Sequence, residues 1–255
     1  MSDVAMALRQ IRYENRAFWR NPAAAFFTFA FPLLFMVIFN VIFSGAGEGP
    51  DGSRASDFFT PAIIAFAVIT ATYTNLAMSV SMARDAGILK RVRGTPMPSW
   101  AYLFGRMAHA VLIALLLVVI VAAFGALFYE VTFPWERVGQ LVLVLGVAAA
   151  SFCALGLAVS TLIPNADAAP AVVNATILPL LFISNVFIRL EDPPAWMDVL
   201  AGIFPVRHFA DAMLAVYSPQ MAGGGLDWQD VAVMGAWGVI GVVFSLRFFS
   251  WEPRR

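Results

Sequence analysis

Six stretches of this 255-residue chain contain no Asp, Glu, Lys or Arg: 23–43, 58–83, 107–129, 138–163, 170–188 and 231–246. A hydrocarbon layer about 30 Å thick is crossed by about 20 helical residues at about 1.5 Å each. The first five runs reach roughly that length, and the sixth, at 16 residues, needs its flanks. Only 32 of 255 positions are charged and 61% are apolar, whereas an ordinary soluble domain carries roughly 25% charge. Too few polar side chains exist to cover a water-exposed surface. Inside lipid the backbone must pair within each segment, which leaves helices. The sequence therefore predicts an all-α polytopic membrane protein, a single domain over 1–255 with six transmembrane helices. The first run is an anchor rather than a cleaved signal, because it has 21 residues and follows 22 that hold four arginines; a secretory apolar core has about 7–15.

With six spans, alternate connections fall on opposite faces. The side holding 1–22, 84–106, 164–169 and the C-tail carries 12 of the 16 basic residues and five of the 16 acidic ones. Basic residues mark the cytoplasmic face. Both termini are expected in the cytoplasm, with the chain in the cell membrane.

The connections carry further signals. Arg9, Arg12, Arg16 and Arg20 share one helical stripe, and Val4, Leu8, Ile11, Phe18 and Trp19 fall on another. Such a helix lies in the headgroup plane, although a plain basic flank that fixes topology would carry the same charges. Within 84–106, Ile88, Leu89 and Val92 make a small apolar face, and Lys90, Arg91 and Arg93 a basic one, before Gly94, Pro96 and Pro98 stop the helix. So short a helix is unstable alone and needs a surface to dock on. Residues 189–230 predict two short amphipathic helices resting on the outer face, with Arg207 and Asp211 pairing across one turn. Small residues in the fourth and sixth runs, among them Ala148, Ser151, Ala154, Gly238 and Gly241, predict close helix contacts.

Several chemistries are excluded. One cysteine, Cys153, and two histidines, His109 and His208, cannot build a Cys/His metal cluster. The only lysine, Lys90, follows Leu89, so the phosphate-binding loop ending in Gly-Lys is missing. No Gly-x-Ser-x-Gly elbow is present. The spans also lack the buried charges that ion-coupled carriers use. The chain is expected to have no catalytic residues, to bind no cofactor or metal, and to have no nucleic-acid partner. A transporter or scaffold driven from outside remains.

Arg84-Asp85-Ala86-Gly87-Ile88-Leu89-Lys90-Arg91, followed by Arg93-Gly94-Thr95-Pro96, resembles the cytoplasmic loop of type-2 ABC exporter permeases. Ile183-Ser184-Asn185-Val186-Phe187-Ile188 resembles that family's segment after the fifth span, and Phe204-Pro205-Val206-Arg207-His208 its outer-face segment. The resemblance covers essentially the whole chain. It implies a permease homodimer or heterodimer, the homodimer being the expected form, held by a separate ATPase subunit that uses ATP and Mg. It also implies an N-terminal interfacial helix and a coupling helix seated on the ATPase. Carried over by position, the ATPase-coupling residues are Arg84, Asp85, Gly87, Ile88, Leu89, Lys90, Arg91, Arg93, Thr95 and Pro96. Ile88 stands where the family usually has Thr, and Asn185 where Gly is common. The first, second and fifth spans would line the dimer interface and translocation route, near Phe35, Asn40, Asn75, Asn174 and Asn185. The expected function is ATP-driven export of a hydrophobic or amphiphilic cargo such as a drug, antibiotic, lipid or lipid-linked glycan. An ATP-independent channel or scaffold is the alternative.

Overall fold

A computed structural model describes residues 3–43, 54–184, 186–187, 194–220, 222 and 224–252. Among them all regular structure is helical: α1 (Asp3–Trp19), α2 (Pro22–Phe43), α3 (Ala55–Ile69), α4 (Asn75–Asp85), α5 (Ile88–Arg93), α6 (Ser99–Tyr129), α7 (Val138–Ser160), α8 (Ala169–Ile183), α9 (Ala195–Ile203), α10 (Pro205–Tyr217) and α11 (Trp228–Phe248). A π-helical turn, Thr70–Thr74, joins α3 and α4 into one 31-residue span, and a 3-10 turn, Trp135–Arg137, leads into α7. Among the described residues five helices are long and apolar enough to cross a membrane, and the bent pair α9–α10 brings the number to as many as six. The chain is an all-α polytopic membrane protein.

The expected fifth span over 170–188 is shorter than predicted. The helix there, α8, stops at Ile183 after 15 residues, about 22 Å of rise. Asn185 and Ile188 lie outside the described residues, as do Gly223, Arg254 and Arg255. The connection after α8 also departs from two helices resting on a surface. Phe204 takes extended dihedrals before Pro205, and α9 meets α10 at 89°. The α9 side chains Trp196, Val199 and Ile203 stay exposed, whereas Val206, Phe209, Met213 and Val216 of α10 are fully buried. Those four positions form one stripe of a helix, so α10 enters the core beside α3, α7 and α11. The Phe209 ring sits 5.8 Å from that of Phe152.

Polar contacts hold this end. Arg207 pairs with Asp211 (Nε to Oδ2, 3.4 Å), as the spacing predicts, and also with Asp198 on α9. His208 bridges α9 and α11, with Nδ1 2.6 Å from Asp230 Oδ1 and Nε2 2.8 Å from the Gly202 carbonyl.

Small residues set the closest contacts. A Cβ on Gly238 would stand 2.7 Å from Ser151 Oγ, and one on Gly241 would stand 2.9 Å from the Ala154 backbone. Ser151 Oγ uses the proximity to donate to the Met234 carbonyl at 2.7 Å. Lipid-facing helices gain nothing from hydrophobicity when they pair, so shape and such hydrogen bonds decide the partner. At the other end, Gly105 lets α1 lie on α6, since a Cβ there would meet the Gln10 side chain at 2.5 Å. The α1 face that docks is Ala7 and Gln10, which leaves Val4, Leu8 and the arginine stripe turned outward.

Gly241→Leu should lower stability by about 1–3 kcal/mol through overpacking. Gly235→Leu, where a Cβ meets nothing within 4 Å, should stay within about 0.5 kcal/mol. Thermal unfolding of both variants in one detergent checks the contrast.

Candidate functional site

The segment between α4 and α6 forms a short knob at the α1 end of the bundle. Helix α4 stops because Gly87 adopts φ 68°, a left-handed conformation, so the chain turns sharply into the six-residue α5. An L side chain there costs about 1–2 kcal/mol. Gly94 closes α5, and Thr95 Oγ1 donates back to the Val92 carbonyl at 2.7 Å. Pro98, extended, precedes the first turn of α6.

Two adjacent charged residues tie this knob to the far end of α7. Arg84 is 1% exposed, and its guanidinium donates to the carbonyls of Ser160 (2.9 Å) and Ile163. These carbonyls lie at and just past the C-terminus of α7, where a cation meets the negative end of the helix dipole. Asp85 Oδ2 accepts from the Ala166 N–H at 3.1 Å. Together they join α4 to the α7–α8 connection.

The structure divides the ten expected coupling residues into two groups. Leu89 is fully buried with Leu76, Val80, Tyr102, Cys153 and Leu157. The expectation of a docking face that includes Leu89 is corrected here: a six-residue helix cannot hold itself, and Leu89 anchors it to its own spans. Arg84 likewise points inward. Exposed are Asp85, Ile88, Lys90, Arg91, Arg93, Thr95 and Pro96, with Gly87 half-buried at the turn between the two groups, and Ile88, 42% accessible, is the large apolar side chain that α5 exposes. Arg91 donates to the Ala86 carbonyl at 3.2 Å, which folds its side chain over the turn.

The second expected group is more scattered. Phe35 is the centre of an aromatic wall, with ring centroids 4.7 Å from Phe31, 5.5 Å from Phe39, 5.7 Å from Phe66 and 5.7 Å from Phe187. Phenylalanines four apart on α2 stack along one stripe, and α3 and the chain just past α8 complete the wall. Asn75 lines a groove beside it with Phe31 and Phe66. Asn174 is exposed on α8. Asn40 is buried and satisfied within α2, donating to the Met36 carbonyl at 2.8 Å. Asn185 lies outside the described residues.

Two features escaped the sequence reading. The π-turn carries Tyr73, whose hydroxyl is 2.7 Å from Thr176 Oγ1 on α8; a wide turn inside a span leaves no mark in hydropathy. Arg106 Nε bonds Glu14 Oε1 at 3.0 Å, joining α1 and α6. Both residues lie in the expected connections rather than in spans, and nothing in their spacing pairs them.

Leu89→Ala should cost about 2–5 kcal/mol, as for a filled core position, and Ile88→Ala no more than about 0.5 kcal/mol. Denaturation midpoints of the two variants in the same detergent give the comparison directly.

The ABC-2 type transporter family profile matches residues 8–217. The chain is 26% identical over 163 residues to the probable multidrug ABC transporter permease YbhR of Escherichia coli, an alignment covering 63% of this chain and 43% of that one. It therefore spans less than half of that permease. It is 28% identical over 187 residues to the daunorubicin resistance ABC transporter permease protein DrrB1 of Streptomyces coeruleorubidus, covering 71% and 64% of the two chains. With the putative transport permease YvfS of Bacillus subtilis it shares 22% over 236 residues, 91% and 92% of the chains. A match over most of the sequence, on a helical membrane bundle with this knob at one end, places the chain in the ABC-2 type transporter family.

Proposed function

We propose that this chain is the membrane-spanning subunit of an ABC exporter, and that a separate ATP-binding subunit seats on the knob around α5. The observation that carries the reading is the clamp: α5 stands on the end of the bundle with Ile88, Lys90, Arg91 and Arg93 outward, while Arg84 and Asp85 fasten its root to the α7–α8 connection. A rigid-body displacement of the knob by a closing ATPase pulls on that connection and hence on α8. Tyr73–Thr176 and the aromatic wall then pass the shift to α3 and α2. Binding and hydrolysis of ATP and Mg on the partner would thus bias two arrangements of one bundle. No hydrolytic step falls to this chain.

The charge asymmetry supports a cytoplasmic knob and cytoplasmic termini in a cell membrane. A second protomer would cover the outward faces of α2 and α8, closing a route between two aromatic walls. Such a route suits a hydrophobic or amphiphilic cargo, a drug, antibiotic or lipid-like molecule, because it offers π faces and few hydrogen-bond partners. The names carried by relatives, multidrug and daunorubicin resistance permeases, point the same way.

Ile88→Asp combined with Arg91→Glu alters only the exposed knob. The double variant should insert and unfold like the wild type yet lose about tenfold or more in ATPase co-isolation, about 1.4 kcal/mol. It should also lose ATP-dependent efflux of a fluorescent amphiphile. Undiminished efflux after ATP depletion, or full co-isolation of the double variant, would sink the reading in favour of an ATP-independent channel or scaffold.

A further inference from the structure

A small cavity of about 150 Å³ lies where α1, α4 and α6 meet, with Glu14, Asn75, Ser79, Arg106 and His109 making the polar part of an otherwise apolar lining. It is an unusual place in so apolar a bundle, and it is only partly satisfied. Glu14 Oε1 already accepts from Gln10 Nε2 (2.7 Å) and Arg106 Nε (3.0 Å). Arg106 Nη1 and His109 Nε2 are buried without a hydrogen-bond partner among the described residues. His109 is 9% exposed, and the Arg106 side chain 13%. A guanidinium N–H left in that state costs about 1–3 kcal/mol or more, so an acceptor is called for.

The cavity has an apolar continuation. Asn75, Ser79 and Phe18 also line a groove of about 440 Å³ that runs between α2 and the α3–α4 span past Phe27, Phe31 and Phe66. Polar pocket and greasy groove therefore share a wall. One molecule that satisfies both is an amphiphile with a compact anionic head and a hydrocarbon chain.

We propose that this is a binding site for an anionic phospholipid, its phosphate on Arg106 Nη1 and His109 Nε2 and one acyl chain along the groove. A phosphate oxygen accepts from Arg106 as a charge-assisted bond, and from His109 in the tautomer that carries its proton on Nε2. The Glu14 carboxylate is already paired with Arg106 Nε at 3.0 Å, so the head meets an ion pair rather than a bare carboxylate. The cavity, about 150 Å³, has room for a phosphate, and its cationic Arg106 favours a head of net negative charge over a zwitterion. Lipid held here wedges between α1 and the α3–α4 span, one turn from the Arg84 clamp. The acyl groove borders the aromatic wall of the proposed route through Phe31, Phe66 and Asn75, but the site requires only that the chain sit in a membrane, and its test reads lipid binding rather than ATP-dependent efflux.

The test uses the full chain in detergent and reads lipid retention by native mass spectrometry and thermal stabilisation. The probes are dioleoyl phosphatidic acid, dioleoyl phosphatidylcholine and inorganic phosphate. The wild type should prefer phosphatidic acid over phosphatidylcholine by about tenfold, because phosphatidylcholine would set its own trimethylammonium beside the Arg106 guanidinium. Arg106→Gln should erase that preference. Ser79→Phe, which plugs the junction of pocket and groove and leaves the Arg106–Glu14 pair in place, should erase it too, and decides the matter where Arg106→Gln fails to fold. Arg12→Gln, on the exposed α1 stripe, should retain it. Equal retention of the two lipids, meaning no selection for an anionic head, overturns the proposal. So does a preference that survives in Ser79→Phe, or one lost equally in Arg12→Gln. Stabilisation by inorganic phosphate alone to the same extent would make this a soluble-anion site and overturn the lipid.

Discussion

A buried guanidinium is the contact on which the arrangement of this molecule turns. Arg84 sits at the last turn of α4, yet its hydrogen bonds end on Ser160 and Ile163. Those carbonyls finish α7 and have no helical partner of their own. Burying them unpaired would cost about 1–3 kcal/mol each, and burying the cation without acceptors would cost more. Each side therefore requires the other. The consequence is geometric: the end of α4, the start of α8 and the short α5 between Gly87 and Gly94 become one body, with Asp85 and Ala166 as a second tie.

This explains what the sequence could and could not reveal. Charge-free runs mark spans because lipid taxes every charge at the same depth, whatever the fold. Gly94, Pro96 and Pro98 mark the end of α5 because backbone conformation at a turn is a local matter. Burial of Leu89 and Arg84 is not local. Leu89 and Ile88 are neighbours on one helix, equally apolar, and only the position of Leu76, Val80 and Leu157 decides which is core and which is surface. Similarly, the 1–22 arginine stripe reads as interfacial, but the face that docks is Ala7 and Gln10, and its fit depends on a glycine about 95 residues away in sequence, Gly105.

The second misjudged element, α10, follows the same rule. A moderate apolar stripe of four residues suits a helix lying on a membrane surface as well as one inside a protein. What draws α10 inward is space beside α3, α7 and α11, with His208 fixing its entry against Gly202 and Asp230. A periodicity argument sees the stripe and not the cavity it fills. Outer-end polar residues were likewise legible where they fall one turn apart, as Arg207 and Asp211 do, and illegible where they converge from different helices.

In lipid, apolar helix surfaces exchange one hydrocarbon neighbour for another at little cost, so they slide readily, whereas hydrogen-bonded seams resist. The described seams are unevenly distributed. Helices α7 and α11 are joined by Ser151 and Met234, α4 and the α7–α8 connection by Arg84 and Asp85, and α1 and α6 by Glu14 and Arg106. Helix α2 meets its neighbours mainly through phenylalanine rings, and α8 meets the α3–α4 span through Tyr73 and Thr176. The seams, Tyr73–Thr176 among them, thus define a stiff frame, and the aromatic contacts of α2 define a surface that can repack. A knob fixed to the frame's edge, beside the helix that leads to the repacking surface, is the arrangement that the proposed ATPase docking requires if a push on the knob is to be felt in the middle of the bundle.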